Sequence, residues 1–141
     1  MDLMVHNTIT PAINQIEVNP YQQQSDTQRF LLDNTVQVEA WAPFAEGRKN
    51  IFQDELLRSI AAQHKKSVAQ VILRWLIQRG IIALAKSTRK ERMIENISVF
   101  DFELTAQDMA VITTLDTKTS CFFDHRDPEM VKWLGNRKLN I

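Results

Sequence analysis

The sequence predicts an α/β fold built on a parallel sheet of three strands. Strand-like segments near residues 13–18, 36–42 and 81–85 alternate with segments of helical periodicity, which is typical of βα units. The third segment is a short apolar run between Gly80 and Lys86, as expected for a buried strand of a parallel sheet. Three strands leave two open edges, so the predicted sheet is unfinished.

Length and composition indicate one domain without a nucleic-acid or membrane partner. The chain has 141 residues, and its 17 basic residues balance 17 acidic ones. No apolar run is long enough to span a bilayer, and the first residues lack the pattern of a signal peptide. Cys121 is the only cysteine, so an internal disulfide is excluded. We therefore expect a cytoplasmic protein.

Residues 1–80 predict the first two strands and several helical segments. Ser25 and Ser67 each stand three residues before a glutamine, which is the spacing of a capping box, and Gly80 is placed to end the second of these helices. The predicted elements are a helical turn at 3–5, a strand at 12–18, a helix at 25–34 that buries Phe30 and Leu31, a strand at 36–42, a loop at 44–50, and helices at 56–64 and 67–79.

The rest of the chain predicts one strand and three helices, each helix with a start signal. A hydroxyl residue three positions before an acidic one forms a capping box, and Asp-Pro combines an N-cap with the residue favoured at the first helical position. The elements are a strand at 81–85, a helix at 90–97 opened by Thr88 and Glu91, a helix opened by Thr105 with Ala106, Met109, Ile112 and Leu115 facing inward, and a helix ending at Leu134 that follows Asp127-Pro128.

The helix predicted at 90–97 begins in a cluster of positive charge. Lys86, Arg89, Lys90 and Arg92 lie beside its amino-terminal end, where the helix dipole favours acidic residues. A phosphate held by free backbone N–H groups and by these side chains would remove the conflict. A basic turn exposed to water explains the pattern equally well. The residues alone leave both interpretations open.

The sequence shows no pattern of a catalytic or metal-binding group. None of His6, His64 and His125 is paired in sequence with an acid, and no base accompanies Cys121. No cluster has the spacing of metal ligands. The only tyrosine, Tyr21, follows a strand end and is interpreted as a packing or loop residue.

A series of short motifs occurs in the order known from one enzyme family. They are residues 11–17 (PAINQIE) with Asn19-Pro20-Tyr21, residues 40–43 (AWAP), residues 69–75 (AQVILRW), Lys86-Ser87 with Arg92, Glu95-Asn96, and residues 99–104 (VFDFEL). On these residues the chain resembles the carboxyl-terminal part of the aldo-keto reductases, which are barrel enzymes that use NADPH. The tail at 122–128 (FFDHRDP) is similar to the bacterial diketogluconate-reductase-like branch.

The resemblance implies that the chain is part of a TIM (β/α)8 barrel. Its three strands would be the sixth, seventh and eighth of that barrel, and residues 1–141 would form a single partial aldo-keto reductase domain. A complete barrel usually needs about 250 residues. The chain is therefore expected to be a truncated gene product, one half of a split barrel or a fragment, and these alternatives stay open.

The resemblance also implies a set of residues that bind NADPH. Gln15, expected at the end of its strand, would bind the nicotinamide carboxamide, and Trp41 would stack on the nicotinamide ring. Without the surrounding motif, a core aromatic would be the preferred interpretation of Trp41. The other expected contacts are Ala42, Pro43 and Phe44 at the pyrophosphate, Lys86, Ser87, Thr88, Arg89 and Arg92 at the adenosine 2′-phosphate, and Glu95 and Asn96 at adenine. Ala85 stands where the family usually has proline.

The resemblance finally separates cofactor binding from catalysis. The family reduces aldehydes and ketones with a tyrosine acid tuned by lysine, aspartate and histidine, and none of these four has a matching motif here. We therefore expect no catalytic residue: the chain would bind cofactor but, without the groups that act on a small carbonyl substrate, would be inactive alone. The alternative is a non-catalytic binding or interaction module, a half-barrel that self-associates. A missing amino-terminal half that complements the chain would instead be expected if the chain is one half of a split barrel.

Overall fold

A computed structural model, which describes residues 1–124 and 126–138, has the predicted alternation of strands and helices. The elements are α1 (Asp2–His6), β1 (Ile13–Glu17), α2 (Ser25–Asp33), β2 (Gln37–Trp41), a 3₁₀ segment (Ala45–Gln53), α3 (Glu55–His64), α4 (Val68–Gln78), β3 (Ile82–Ala83), α5 (Lys90–Ile97), α6 (Ala106–Thr113) and α7 (Pro128–Gly135). Among these helices, none has the length and apolar character needed to cross a bilayer. His125, one of the histidines considered above, lies outside the described residues.

The three strands form one parallel sheet in the order β1-β2-β3, so β1 and β3 are its edges. The register pairs Ile13 with Gln37 and Glu17 with Trp41. The strand predicted at 81–85 is shorter than expected, because its only partner, β2, ends at Trp41 and the chain then turns at Ala42 with a φ of 49°. The confirmed features are the parallel pairing and the two open edges.

Helices cover one face of this sheet and leave the other face open. Along β2, Val38 and Ala40 are buried whereas Gln37, Glu39 and Trp41 are only half-buried, as expected when successive side chains point to opposite faces. The covered face packs into one core with Leu57 and Ile60 of α3 and Val71, Ile72, Trp75 and Leu76 of α4. The open face carries Ile13, Gln15, Glu17, Gln37, Glu39, Trp41, Ile82 and Leu84.

The two capping boxes predicted within residues 1–80 differ in the structure. Ser67 and Gln70 form the predicted capping box at the start of α4. Ser25 does not cap α2: the N-cap is Gln24, and Ser25 is already helical. The reason is that Gln28, which should reach back to the cap, instead donates to the Arg79 carbonyl at 2.7 Å.

The later helices begin largely as predicted. Thr105 and Asp108 form a capping box at α6, and the Asp127 carboxylate accepts from the Glu129 N–H at the start of α7. The prediction that Phe30 and Ala106 face inward is wrong. Phe30 is 37% exposed beside the buried Leu31, and Ala106 is exposed. Neighbouring helical residues point about 100° apart, so a helix that packs on one side buries only one of such a pair.

Candidate functional site

Gln15 lies on the open face, held by a contact across the strand pair. It is the middle residue of β1 rather than its last, which corrects the expected position, because the strand continues to Glu17. Its Nε2 donates to Glu39 Oε1 at 2.9 Å, while its own Oε1 has no hydrogen-bond partner among the described residues. The protein therefore orients this amide and leaves one acceptor free.

A cleft of about 1060 Å³ opens beside β1 and is also lined by residues within 22–27, residues within 113–124 and Arg126. Gln15 and Trp41 both line it, together with the carboxylates of Glu17, Asp26, Asp116 and Asp124 and the cations Lys118 and Arg126. Clefts of this size bind small organic molecules. The open face thus contributes an amide and an aromatic ring to the same concave surface.

Trp41 belongs to this cleft and not to the core. It is half-buried on the open face, and the contiguous core of the covered face does not include it. Its ring lies against Phe122, with centroids 4.9 Å apart and planes inclined at 47°. The interpretation of Trp41 as a core aromatic is therefore wrong, and its ring is available to line a binding site.

The turn after β2 is fixed by its own backbone and by packing. Ala42 has a φ of 49° and its carbonyl accepts from the Ala45 N–H at 2.9 Å, while Pro43 is buried. Phe44 packs on the core and meets Phe52 with ring centroids 5.7 Å apart. Because these side chains point into the protein, this turn can offer a ligand chiefly its backbone.

The carboxylate of Glu17 anchors the segment 117–123, the rim of the cleft. Glu17 is only 5% exposed, and it accepts hydrogen bonds from Ser120 Oγ at 2.6 Å, the Cys121 N–H at 2.9 Å and Asn19 Nδ2 at 3.1 Å. Thr117 Oγ1 donates to the Tyr21 carbonyl at 2.8 Å. Sequence reasoning missed this anchor, since Ser120 and Cys121 lie about a hundred positions after Glu17 in the chain.

The basic turn before α5 is exposed and lacks the predicted capping box. The N-cap is Arg89, which provides no side-chain hydrogen bond, and the hydroxyl of Ser87 accepts the Arg89 N–H at 3.1 Å. Thr88 caps nothing, and the Glu91 carboxylate lies 3.9 Å from Arg89 Nε instead of reaching back to the helix start. Short-range pairing of Glu91 with a cation thus replaces the box.

Two of the three cations expected at the 2′-phosphate have no partner in the described part of the chain. Lys86 and Arg92 are exposed and make neither a hydrogen bond nor an ion pair there. Further along α5, Glu95 and Asn96 are half-buried, and the Glu95 carbonyl accepts from Gln70 at 3.2 Å, which fixes α5 to α4. Unpaired positive charge beside uncapped backbone N–H groups has the chemistry of an anion site.

The predicted residues fall into two separate groups. Gln15 and Trp41 share the cleft, whereas none of the residues at 86–96 lines it. The second group gathers at the start and along one helix, beyond edge strand β3. The cleft therefore contains Gln15 and Trp41 but none of the residues expected at the adenosine end.

Tyr21 and Cys121 both pack in or against the core. Burial, with a hydrogen bond from its hydroxyl to Asp54 at 3.1 Å, raises the pKa of Tyr21 to about 12, so this phenol holds its proton as a packing residue. Burial also raises the pKa of Cys121, which keeps the thiol protonated. In residues 1–124 and 126–138, no three His, Cys, Asp or Glu side chains are grouped to hold a metal ion.

His64 and Asp108 form a pair that the sequence analysis did not identify. The ring Nε2 lies 2.8 Å from Asp108 Oδ2, joining α3 to α6. Burial opposes ionisation of Asp108, but hydrogen bonds from His64 and Thr105 outweigh it and hold the pKa of Asp108 below its usual value. Neither residue lines the cleft, so the pair belongs to the scaffold.

Comparison with known proteins identifies the class of this α/β domain as an oxidoreductase family. A family model described as "Aldo/keto reductase family" matches residues 1–117. Glyoxal reductase of Bacillus subtilis is 40% identical over 115 residues, covering 82% of this chain and 41% of that protein. The chain belongs to the aldo/keto reductase family.

Solved structures agree with this assignment. An aldo-keto reductase from a Medee basin deep-sea metagenome library superposes with a TM-score of 0.84 at 33% identity, covering 89% of this chain and 46% of that one. A Bombyx mori aldo-keto reductase in complex with NADP gives a TM-score of 0.80 at 34% identity, covering 89% and 43%. The chain spans only 36% to 41% of the length of the first curated relatives it matches.

Proposed function

We propose that this chain is the cofactor-binding part of an NADPH-dependent aldo-keto reductase that reduces aldehydes or ketones. In this proposal β1, β2 and β3 are the sixth, seventh and eighth strands of a barrel, and the open face is turned to its interior. The observation that carries the proposal is that the free amide oxygen of Gln15 and the ring of Trp41 line one cleft. The crystallisation of a related enzyme with NADP supports it.

The chemistry of the two residue groups fits the two ends of NADPH. Gln15 would accept a hydrogen bond from the carboxamide, and Trp41 would present an aromatic face to the nicotinamide. Lys86, Ser87, Thr88, Arg89 and Arg92 would hold the 2′-phosphate, where unpaired cations and free N–H groups favour a dianion. When bound, NADPH supplies the hydride for carbonyl reduction. A dinucleotide is extended, so separate sites for its two ends support the proposal.

The adenosine end is tested by comparing NADPH with NADH, which lacks the 2′-phosphate. Charge-assisted hydrogen bonds contribute about 1.5–3 kcal/mol each, so calorimetric titration should give at least roughly tenfold tighter binding of NADPH. Arg92→Ala should remove most of this preference, whereas Arg58→Ala, at an exposed arginine of α3, should keep it. Equal affinities of the unsubstituted chain for the two cofactors would contradict the assignment.

Carbonyl reduction by this chain alone is not expected. The family's tyrosine acid has no counterpart among the described residues of the cleft: Tyr21 does not line it and has a pKa of about 12. A positioned general acid typically contributes 10²–10⁴-fold to the rate. The assay follows NADPH oxidation with glyoxal and other small aldehydes, with and without a separately expressed amino-terminal half of a related barrel. Turnover by the chain alone would overturn this expectation.

Self-association is a second candidate function, favoured by the open face itself. Ile13, Ile82 and Leu84 are 49%, 41% and 44% exposed, and they lie on or next to the two edge strands. Unpaired edges and exposed apolar side chains favour pairing with another copy. Light scattering at micromolar concentration should detect oligomers of the unsubstituted chain. The double variant Ile82→Gln, Leu84→Gln should reduce the oligomeric fraction, whereas the control Ile97→Gln should leave it unchanged. A monodisperse monomer that unfolds cooperatively would exclude this function.

A further inference from the structure

Trp41 is supported on one side by a stack of two side chains. Phe122 meets its ring at a centroid distance of 4.9 Å. The Arg48 guanidinium lies over the Phe122 ring, with its Cζ 4.4 Å from the ring centroid. Its Nη1 donates to the Cys121 carbonyl at 3.0 Å. The arrangement joins β2, the 3₁₀ segment and the carboxyl-terminal segment at one point.

The stack is not part of the cleft lining. Trp41 and Gln15 line the cleft, whereas Phe122 and Arg48 do not. Phe122 packs on Trp41 without itself lining the cleft. It limits the orientations open to the indole ring, because an aromatic pair has preferred distances and angles.

Phe122 is itself held by the buried carboxylate of Glu17. Ser120 Oγ and the Cys121 N–H both donate to Glu17, and Ser120 Oγ in turn accepts the Phe122 N–H at 3.0 Å. The backbone on either side of the Phe122 N–H is thus fixed to β1, the strand that carries Gln15. One anchor sets the positions of both groups assigned to the nicotinamide end.

We propose that Phe122, fixed by Glu17 and Arg48, is a positioning residue that holds the Trp41 ring in the orientation needed for nicotinamide. The inference rests on the proposed function, since it assigns that ring to the nicotinamide end of NADPH. Phe122 acts through Trp41 and touches neither cofactor nor substrate. Loss of its ring therefore weakens the nicotinamide end and leaves the adenosine end intact.

The test separates the two ends by using a ligand that has only one of them. Adenosine 2′,5′-bisphosphate carries the adenosine and its 2′-phosphate but no nicotinamide. Phe122→Ala should weaken NADPH binding roughly two- to tenfold, as expected for an aromatic pair, and should leave adenosine 2′,5′-bisphosphate binding unchanged. Phe122→Tyr, which keeps the ring, should restore NADPH binding. Phe100→Ala, the same change at a residue 66% exposed, is the matched control.

A second measurement follows the Trp41 ring directly. In protein labelled with 5-fluorotryptophan, the fluorine resonances of Trp41, Trp75 and Trp133 are assigned by single Trp→Phe substitutions. Phe122→Ala and Arg48→Gln should each shift the Trp41 resonance and leave that of Trp75, which is 1% exposed in the core, in place. An unshifted Trp75 resonance also shows that the variant is folded.

The outcomes distinguish this inference from the proposed function. If the unsubstituted chain binds neither ligand, the proposed function fails and the assignment of Phe122 fails with it. If it binds both and Phe122→Ala changes neither affinity, or weakens both equally, the proposed function stands and the positioning role of Phe122 is overturned. A Trp41 resonance that does not move in either variant also overturns it.

Discussion

Helices α4 and α5 follow one another in the chain but are built in opposite ways. Helix α4 begins with a complete capping box, buries eight residues and is followed by Gly80, whose φ of 70° ends it. Helix α5 has no side-chain cap, buries no residue and starts among cations. Its amino-terminal end is destabilised by its own charges. Helix α4 therefore contributes more to the stability of the fold than α5 does. The start of α5 has the charge and the free N–H groups that favour a bound anion.

The largest expected effect tests whether α4 contributes more to the stability of the core than α5 does. Ile72 is fully buried, so Ile72→Ala should leave a cavity and lower the free energy of unfolding by about 2–5 kcal/mol. The same substitution in α5, Ile97→Ala, removes a side chain that is 67% exposed. It should change the free energy of unfolding by less than about 0.5 kcal/mol. Urea unfolding of both variants makes the comparison, and equal losses would show that α5 carries more of the stability than its exposure indicates.

A third helix, α6, sharpens the comparison because its capping box contains an ionisable group. Asp108→Ala should cost about 1–3 kcal/mol, since it leaves His64 and Thr105 without the acceptor that Asp108, itself 4% exposed, provides. The pKa of Asp108 is lower in the folded than in the unfolded chain, so its contribution is present above about pH 4 and is lost as pH falls further.

The pH dependence of unfolding checks this sign. The unsubstituted chain should lose stability as the pH falls below about 4, and Asp108→Ala should lose less over the same acid range. The box of α4 uses the neutral side chain of Gln70, so Ser67→Ala should leave the slope as it is. Identical slopes in all three proteins would exclude Asp108 as a source of acid sensitivity.

The smallest expected effect concerns the two helix starts themselves. Ser67→Ala removes a hydroxyl that accepts from the Gln70 N–H at 3.2 Å and should cost about 1 kcal/mol. Thr88→Ala removes no cap and should leave the free energy of unfolding nearly unchanged. A loss at Thr88 as large as that at Ser67 would mean that the capping box predicted from sequence does form in solution.

The sequence predicted what local patterns determine. Periodicity and start signals gave the three strands, the parallel arrangement and helices such as α4, since these depend on residues a few positions apart. The caps show where this ends. Gln70 and Gln28 stand at equivalent positions, yet Gln28 is drawn to Arg79, 51 residues away, by a contact that no local pattern reveals.

The candidate site divides in the same way. Gln15 and Trp41 were predicted from their motifs, and the structure places them on one cleft. The support behind them could not be predicted, because Glu17 and Ser120 meet only when the whole chain has folded. Nor does the sequence show that Lys86 and Arg92 lack partners among the residues that the structure describes, since the neighbouring acid, Glu91, was assigned to the cap and lies instead near Arg89.

The distance between Glu17 and its partners along the chain has a consequence for the order of assembly during synthesis. The carboxylate bonds to residues 103 and 104 positions later. At roughly 5–20 residues per second, a ribosome needs about 5–20 s to make that stretch. Strands β1 and β2 and helix α4 are complete well before, so the nascent chain can form its core while Trp41 is still unsupported. The proposed nicotinamide end of the site therefore matures after these elements of the core.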